Sequence, residues 1–170
     1  MSATKLLITI VVACILMWIY IIVDTAGYQD EDYAEGLDAY QNQDYETALT
    51  IFTTLAENGY IEGELYLKLG IIYSMGTHLE DKKDAMKWWR LAAEQDNALG
   101  KYFIGQYYED GWGVPQNKVY AHMWYNLSHA QGFGSGDYSR DRIAEEMTVT
   151  EITAAEQLAV ECVAKEFKGC

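Results

Sequence analysis

The chain has 170 residues, of which half are hydrophobic and one is proline, so it can form one modest domain and favours helices over a β-sandwich. It carries 12 basic and 26 acidic residues, giving a formal net charge of −14. A surface this acidic repels nucleic-acid phosphates and anionic lipid, which argues against nucleic-acid binding, and its ordinary role is to keep a domain soluble.

A long apolar segment lies near the N-terminus. Residues 6–23 read LLITIVVACILMWIYIIV without a charge, and a helix of this length is ~27 Å long, close to the hydrocarbon thickness of a bilayer. Trp18 and Tyr20 lie toward its end, where interfacial aromatics are common. Lys5 precedes the segment and acidic residues follow it, which places the N-terminus in the cytoplasm. The pattern predicts an anchor over residues 1–26, an acidic linker over residues 27–32 and a domain outside the membrane.

Two alternatives to a retained anchor stay open. A cleaved signal peptide needs small residues before the cut, and Asp24-Thr25-Ala26 fits that requirement poorly. Residues 11–14, Val-Val-Ala-Cys, resemble a loose lipoprotein signal ending at Cys14, although the chain stays apolar from Ile15 to Val23. If the segment is retained as an anchor, the expected location is the inner (cytoplasmic) membrane, with a single pass and the domain in the periplasm.

The rest of the chain is internally repetitive. Residues 69–76 and 104–111 both read apolar-Gly-x-x-Tyr-x-x-Gly, and residues 85–91 resemble residues 121–127, at offsets of 35 and 36 positions. A weaker first copy has Gly36 in its first helix and residues 48–52 in its second. Repeats of this period are typical of stacked helix pairs, in which each pair buries its apolar stripe against its neighbours.

Each predicted helix pair has small residues at some fixed positions and large aromatics at others. Gly70, Gly105, Ala85 and Ala121 occupy fixed places where two helices approach closely. Four large aromatics are expected to fill the space between neighbouring units: Tyr73, Trp89, Tyr108 and Tyr125. Gly76 and Gly111 are expected to end the first helix of their units, as a glycine after a helix does.

Residues 111–117, Gly-Trp-Gly-Val-Pro-Gln-Asn, resemble the Gly-x-Gly-Val-x-x-Asp/Asn loop of Sel1-like repeats, which are relatives of the tetratricopeptide repeat. The following Ala121, Trp124 and Tyr125 match the Ala-x-x-Trp-Tyr of that family. The resemblance covers about residues 33–131. It implies an all-α fold: an α/α solenoid of about three Sel1-like helix-pair repeats over residues 33–132, plus a C-terminal helical hairpin over residues 133–170, preceded by one transmembrane helix.

The C-terminal segment resembles the closing part of bacterial members of this family. Residues 140–143, Arg-Asp-Arg-Ile, and the Met147-Thr148 helix start carry the likeness, and Thr150 is a candidate N-cap of the last helix. Cys162 and Cys170 can form a disulfide if the helix ends near Phe167 and Gly169 turns the chain back. Some Sel1-like proteins of oxidising compartments carry such pairs. Two free thiols is the alternative.

The chain shows no pattern of a catalytic or metal site. His122 and His129 share one helix face, but no third ligand joins them and His78 lies apart, so no metal is expected. The glycines of residues 132–136 lack the Lys-Ser/Thr and the preceding strand of a phosphate loop. We expect no cofactor and no small-molecule substrate.

The resemblance implies binding of another protein, in or near the membrane, by a membrane-anchored adaptor. In the tetratricopeptide arrangement the first helices line the concave side, which gives seven candidate partner-binding residues: Tyr33, Leu37, Tyr40, Leu67, Ile71, Tyr102 and Gln106. Several of these can instead pack between units. Two alternative functions are an accessory subunit of a membrane complex held mainly by its transmembrane helix, and a cell-wall or β-lactam hydrolase. The hydrolase is disfavoured because no nucleophile and base stand in a recognisable frame.

Overall fold

A computed structural model describes the backbone of residues 3–76 and 79–170, and the side chains of residues 11–18, 29–76 and 81–170. Within these ranges the chain forms eight α-helices and no strand, so the predicted all-α class is confirmed. The helices are α1 Ala3–Gln41, α2 Tyr45–Glu57, α3 Gly63–Ser74, α4 Leu79–Glu94, α5 Ala98–Asp110, α6 Lys118–Ala130, α7 Gly134–Ala144 and α8 Val149–Ala164.

The helices fall into two compact units. The first unit, Met1–Tyr60, contains α1 and α2, and the second, Ile61–Cys170, contains α3 to α8. The sequence predicted one continuous run of repeats over residues 33–132. The weak first copy thus lies in the first unit, whereas the two stronger copies lie together in the second.

In the first unit, α1 and α2 pack through a glycine and an aromatic ring. A Cβ atom on Gly36 would lie 2.5 Å from the ring of Phe52, so only glycine allows this approach. Asp44 caps α2, because its side chain accepts a hydrogen bond from the backbone N–H of Thr47. Gly36 and Phe52 therefore make the same kind of glycine-aromatic contact as the later copies, as their positions in the repeat predicted.

The N-terminal part of α1 differs from the predicted order of anchor and linker. Residues 27–32, which were predicted to form a short acidic linker, are helical within α1. In the predicted membrane segment, the side chains of residues 6–10 and 19–23 lie outside the described ones. Among the described residues, no helix combines the length and the apolar character needed to cross a bilayer.

The second unit repeats the glycine-aromatic contact twice. A Cβ on Gly70 of α3 would lie 2.3 Å from the indole of Trp89 on α4. A Cβ on Gly105 of α5 would likewise lie 2.7 Å from the ring of Tyr125 on α6. Trp89 and Tyr125 are each 1% exposed, which confirms the prediction that both belong to the core.

Trp89 also joins one helix pair to the next within the second unit. Its ring stacks on Phe103 of α5 at 4.7 Å between centroids and meets the edge of Tyr107 at the same distance. Aromatic pairs at such separations favour tilted or offset geometries and add to the free energy of burial. The side chain that separates α3 from α4 therefore also sets the position of α5.

Three residues of the Gly-x-Gly-Val-x-x-Asn loop, Gly111, Gly113 and Asn117, each have a structural role. Gly111 ends α5 in the left-handed region at φ 75°, as predicted. Gly113 has a φ of 70°, and a Cβ atom on it would lie 2.9 Å from the backbone of Lys82. Asn117 caps α6, because its side chain accepts hydrogen bonds from the N–H groups of Val119 and Tyr120. Gly76 directly follows Met75, the C-cap of α3, which is the position that the sequence predicted for it.

The C-terminal segment consists of two helices, but they do not pair mainly with each other as the predicted hairpin requires. Both α7 and α8 pack on α6 instead. Gly136 allows α7 to approach α6 closely, since a Cβ atom on it would lie 2.8 Å from the Tyr125 carbonyl oxygen. Helix α8 buries the small residues Ala155 and Ala159. The N-cap of α8 is Thr148 and not Thr150, because Thr148 forms a capping box with Glu151.

Candidate functional site

The predicted partner-binding residues of the first unit mostly hold that unit together. The ring of Tyr33 lies 5.8 Å from Phe52 and 5.3 Å from Tyr60. The ring of Tyr40 meets the edge of Tyr45 at 5.6 Å. Leu37 is half-buried. The two tyrosines therefore contribute packing between α1 and α2 more than free surface.

In the second unit the predicted residues divide between core and surface. Leu67 is 3% exposed, and its carbonyl oxygen accepts a hydrogen bond of 3.3 Å from the indole N–H of Trp89. Its predicted place on a binding surface is wrong, because Trp89 packs against this turn of α3. Ile71 and Gln106 occupy equivalent positions of α3 and α5, and both remain partly exposed.

Tyr102 lies at the junction of α5, α6 and α7. Its ring is 5.4 Å from Tyr125 and 5.0 Å from Phe133. Its hydroxyl oxygen accepts hydrogen bonds from the Gln106 amide and the Ser139 hydroxyl, each at 3.4 Å. Tyr102 thus combines a packed ring with a hydroxyl group at the edge of the surface.

A charged pair, about two turns beyond Tyr102 along α5, joins the same three helices. The Arg142 guanidinium of α7 lies 2.6 Å from the Glu109 carboxylate of α5, and Tyr125 of α6 donates a hydrogen bond of 2.6 Å to that carboxylate. Burial, and then the bond to Glu109, raises the pKa of Tyr125, so the phenol stays a donor. The bond to Glu109 raises the pKa of Arg142, while burial and then the charge of Glu109 raise the pKa of Asp110.

These contacts define one surface, here named the α5–α7 face, made of Tyr102, Gln106, Glu109 and Arg142. Tyr138 lies one turn before Arg142 on α7 and is 73% exposed, which adds a large apolar group beside the polar ones. The face therefore offers an amide, a guanidinium, a carboxylate and an exposed ring on helices fixed by buried contacts. Such a set can hold polar and aromatic groups of another polypeptide.

The sequence did not predict the pair of Glu109 and Arg142 or the exposed Tyr138. Residues 140–143 were recognised as a closing motif, yet nothing in the motif says that Arg142 reaches a carboxylate 33 positions earlier. A partial signal was available, since Glu109 lies three residues after Gln106 and thus on the same side of α5.

The two C-terminal cysteines come together as expected. Cys162, near the end of α8, and Cys170 have Cα atoms 5.7 Å apart and form a disulfide pair. Helix α8 ends at Ala164, and Gly169 has φ 70°, so the chain turns back where glycine permits it. Cys14 is exposed and unpaired.

Two histidines are described, and neither belongs to a set of metal ligands. His122 is buried, and burial is the main reason that its pKa is lowered. His129 lies 3.8 Å from Asp137. Over residues whose side chains are described, no cluster of three or more His, Cys, Asp or Glu could hold a metal ion. His78 lies outside the described residues.

Comparison with known proteins identifies the repeat. The family profile described as Sel1 repeat matches residues 64–97 and 98–133. An uncharacterized protein of Neisseria meningitidis serogroup B, NMB1327, is 32% identical over 87 residues, which are 51% of this chain and 17% of that protein. The rat DAP3-binding cell death enhancer 1 is 31% identical over 85 residues, 50% of this chain and 16% of that protein. The chain thus spans about a sixth of the length of these curated relatives.

A solved structure shares the fold. The protein c5321, described as a protective antigen present in uropathogenic Escherichia coli strains and displaying an SLR fold, superposes with a TM-score of 0.71 at 21% identity. The match covers 82% of this chain and 31% of that one. Each of the two stretches that match the Sel1 profile contains one glycine-aromatic contact of the second unit, Gly70 with Trp89 and Gly105 with Tyr125.

Proposed function

Since the chain contains Sel1 repeats, at residues 64–97 and 98–133, we propose that it is a non-catalytic scaffold that binds another protein. Solenoids of this kind offer a broad surface on rigid helices and are well suited to protein–protein interaction. The observation that carries the proposal is the repeated glycine-aromatic contact, Gly70 with Trp89 and Gly105 with Tyr125. It fixes the helices without using the outward-facing side chains.

The α5–α7 face is the proposed contact surface. Ion pairs and hydrogen bonds between helices hold its polar groups in place, so binding costs little side-chain entropy. Tyr138 brings exposed aromatic area of the kind that dominates many interfaces. Because the chain is strongly acidic, we expect the partner to present a basic or neutral surface.

The first test removes this surface without touching the core. We expect Tyr138→Ser combined with Gln106→Arg to abolish co-purification of a specific partner from mild-detergent extracts of the intact chain, measured by quantitative mass spectrometry. Neither side chain is buried, so far-UV circular dichroism should stay unchanged.

The matched control is Val160→Ser, since Val160 is exposed on α8, a helix that contributes no residue to the α5–α7 face. It should retain the partner at the wild-type level. A folded double variant that still carries every partner would show that the contact lies elsewhere on the molecule.

We further propose that the scaffold is anchored by residues 6–23 in the inner membrane, with the repeats in the periplasm. The uncharged sequence, with Lys5 before it and acidic residues after it, supports this orientation. In the described part of the segment, six apolar side chains are 48–70% exposed: Val11, Val12, Ile15, Leu16, Met17 and Trp18. So much contiguous apolar surface favours coverage by lipid or by another protein.

These exposed side chains also support a second candidate function, an accessory subunit that meets its complex through the N-terminal helix. Replacing residues 6–23 by an unrelated transmembrane sequence separates the two functions. If the protein is a scaffold, we expect the chain with the replaced segment to retain the partner, because its α5–α7 face is intact. If it is an accessory subunit, we expect this chain to lose the partner and the variants of the α5–α7 face to keep it.

A further inference from the structure

Lys101, in the first turn of α5, has a fully buried side chain, with none of its surface exposed. A lysine ammonium without water needs other partners, since its desolvation costs several kcal/mol. One partner is the carboxylate of Asp96, 2.5 Å from Nζ. Asp96 itself is half-exposed, so the ion pair alone does not explain why water is kept from Lys101.

The second partner is an aromatic ring from the C-terminus. The Nζ of Lys101 lies 3.7 Å from the ring centroid of Phe167, a geometry that favours attraction between the ammonium and the face of the ring. Phe167 belongs to the segment that follows α8 and is only partly buried itself. The ring therefore lies over Lys101 as a cover.

The backbone of this segment adopts an unfavourable conformation for its residue types. Glu166 and Phe167 have φ of 52° and 63°, in the left-handed region that non-glycine residues rarely occupy. The N–H of Phe167 donates a hydrogen bond of 3.0 Å to the carbonyl of Cys162. Such a conformation persists only where neighbouring contacts hold it.

The disulfide pair brackets these two residues. Cys162 is buried on α8, and Cys170 returns to it with a Cα separation of 5.7 Å. The closed loop leaves the segment little freedom to move Phe167 away from Lys101. Burial lowers the pKa of Lys101, which agrees with an amine kept from water.

We propose that the loop from Cys162 to Cys170 is a redox-sensitive clasp that holds Phe167 over Lys101 and exposes this amine when the disulfide is reduced. A dithiol supplies the two electrons and two protons: the bond between the Cys162 and Cys170 sulfurs breaks, two thiols form, and the dithiol becomes a disulfide. Glu166 and Phe167 can then return to ordinary φ values, and water reaches Lys101.

The test measures the reactivity of Lys101 in the full chain. The oxidised protein is compared with protein reduced by dithiothreitol, alkylated with iodoacetamide and desalted, and both are pulsed with an acetylating N-hydroxysuccinimide ester. Peptide mass spectrometry then gives the rate at each lysine. We expect reduction to raise the Lys101 rate about tenfold or more, because access requires local opening. Lys87, whose side chain is 68% exposed, should react equally fast in both states.

Two variants separate the ring from the disulfide. Phe167→Ala should raise the Lys101 rate with the disulfide intact, whereas Val163→Ala, at an exposed position within the same loop, should not. Three results from the lysine rates would overturn the clasp. They are equal rates at Lys101 and Lys87 in the oxidised chain, an unchanged Lys101 rate once both thiols are alkylated, and a slow rate in Phe167→Ala. Loss of hydrogen-exchange protection in α3 on reduction would also overturn it, because the whole unit would then have unfolded.

Discussion

Trp89 lies in the core of the second unit, between Gly70 of α3 and the rings of Phe103 and Tyr107 of α5. We expect Trp89→Ala to lower the free energy of unfolding by about 3–5 kcal/mol, because the ring leaves a cavity that the helices cannot fill. Urea unfolding followed by circular dichroism measures the change. A loss below about 1 kcal/mol would contradict a core role for this ring.

A substitution at Gly105 tests the opposite change, in which a methyl group is added to the core. We expect Gly105→Ala to destabilise the chain by about 1–3 kcal/mol, because the new methyl group would press on the Tyr125 ring. The control is Gly134→Ala at the start of α7, where a Cβ meets nothing within 4 Å. This control should be neutral or stabilising by up to about 1 kcal/mol. Equal effects of the two variants in thermal unfolding would refute the close approach of α5 and α6.

Helix α8 shows how one cap fixes the start of an element. We expect Thr148→Ala to cost about 1 kcal/mol, because it removes one half of the capping box, whereas Thr150→Ala should cost little. The measurement is the urea midpoint of each variant. A larger effect at Thr150 would restore the N-cap that the sequence alone predicted.

The same cap gives a prediction for pH. Bonds from the Thr148 backbone N–H and then from its hydroxyl lower the pKa of Glu151 below its ordinary 4.5. A carboxyl group whose pKa is lowered in the folded state stabilises that state above its unfolded pKa, and the contribution is lost as the pH falls through the folded pKa. The stability difference between wild type and Thr148→Ala should therefore shrink as the pH falls below about 4.5. A difference that stays constant down to pH 2 or so would contradict this linkage.

For the molecule as a whole, the proposed anchor predicts where the protein is found. We expect the chain in the membrane fraction with its N-terminal segment intact, and we expect Ile15→Asp with Leu16→Asp to release it, because two charges at mid-bilayer oppose insertion. Val160→Asp is the control and should stay in the membrane. Intact mass spectrometry decides the form: a mature protein that begins near Gly27, or one lipidated at Cys14, would contradict a retained anchor.

The sequence by itself determined the helix pairs and their repeat. The two residues of each glycine-aromatic contact lie about 20 positions apart within one repeat, as in Gly70 with Trp89 and Gly105 with Tyr125. At that range the repeated pattern of small and large residues is visible in the sequence. The caps at Gly111 and Asn117 are still more local, which is why the loop motif indicated both helix ends.

Only the tertiary structure decided which first-helix residues stay on the surface and which distant groups meet. Leu67 and Ile71 have the same apolar character, yet Leu67 is buried whereas Ile71 remains partly exposed. The contact of Lys101 with Phe167 joins residues 66 positions apart. No periodicity fixes such contacts, because they depend on how α5 and α8 are each placed relative to α6. A charged side chain would by composition be expected at the surface, and the fold alone buries this one.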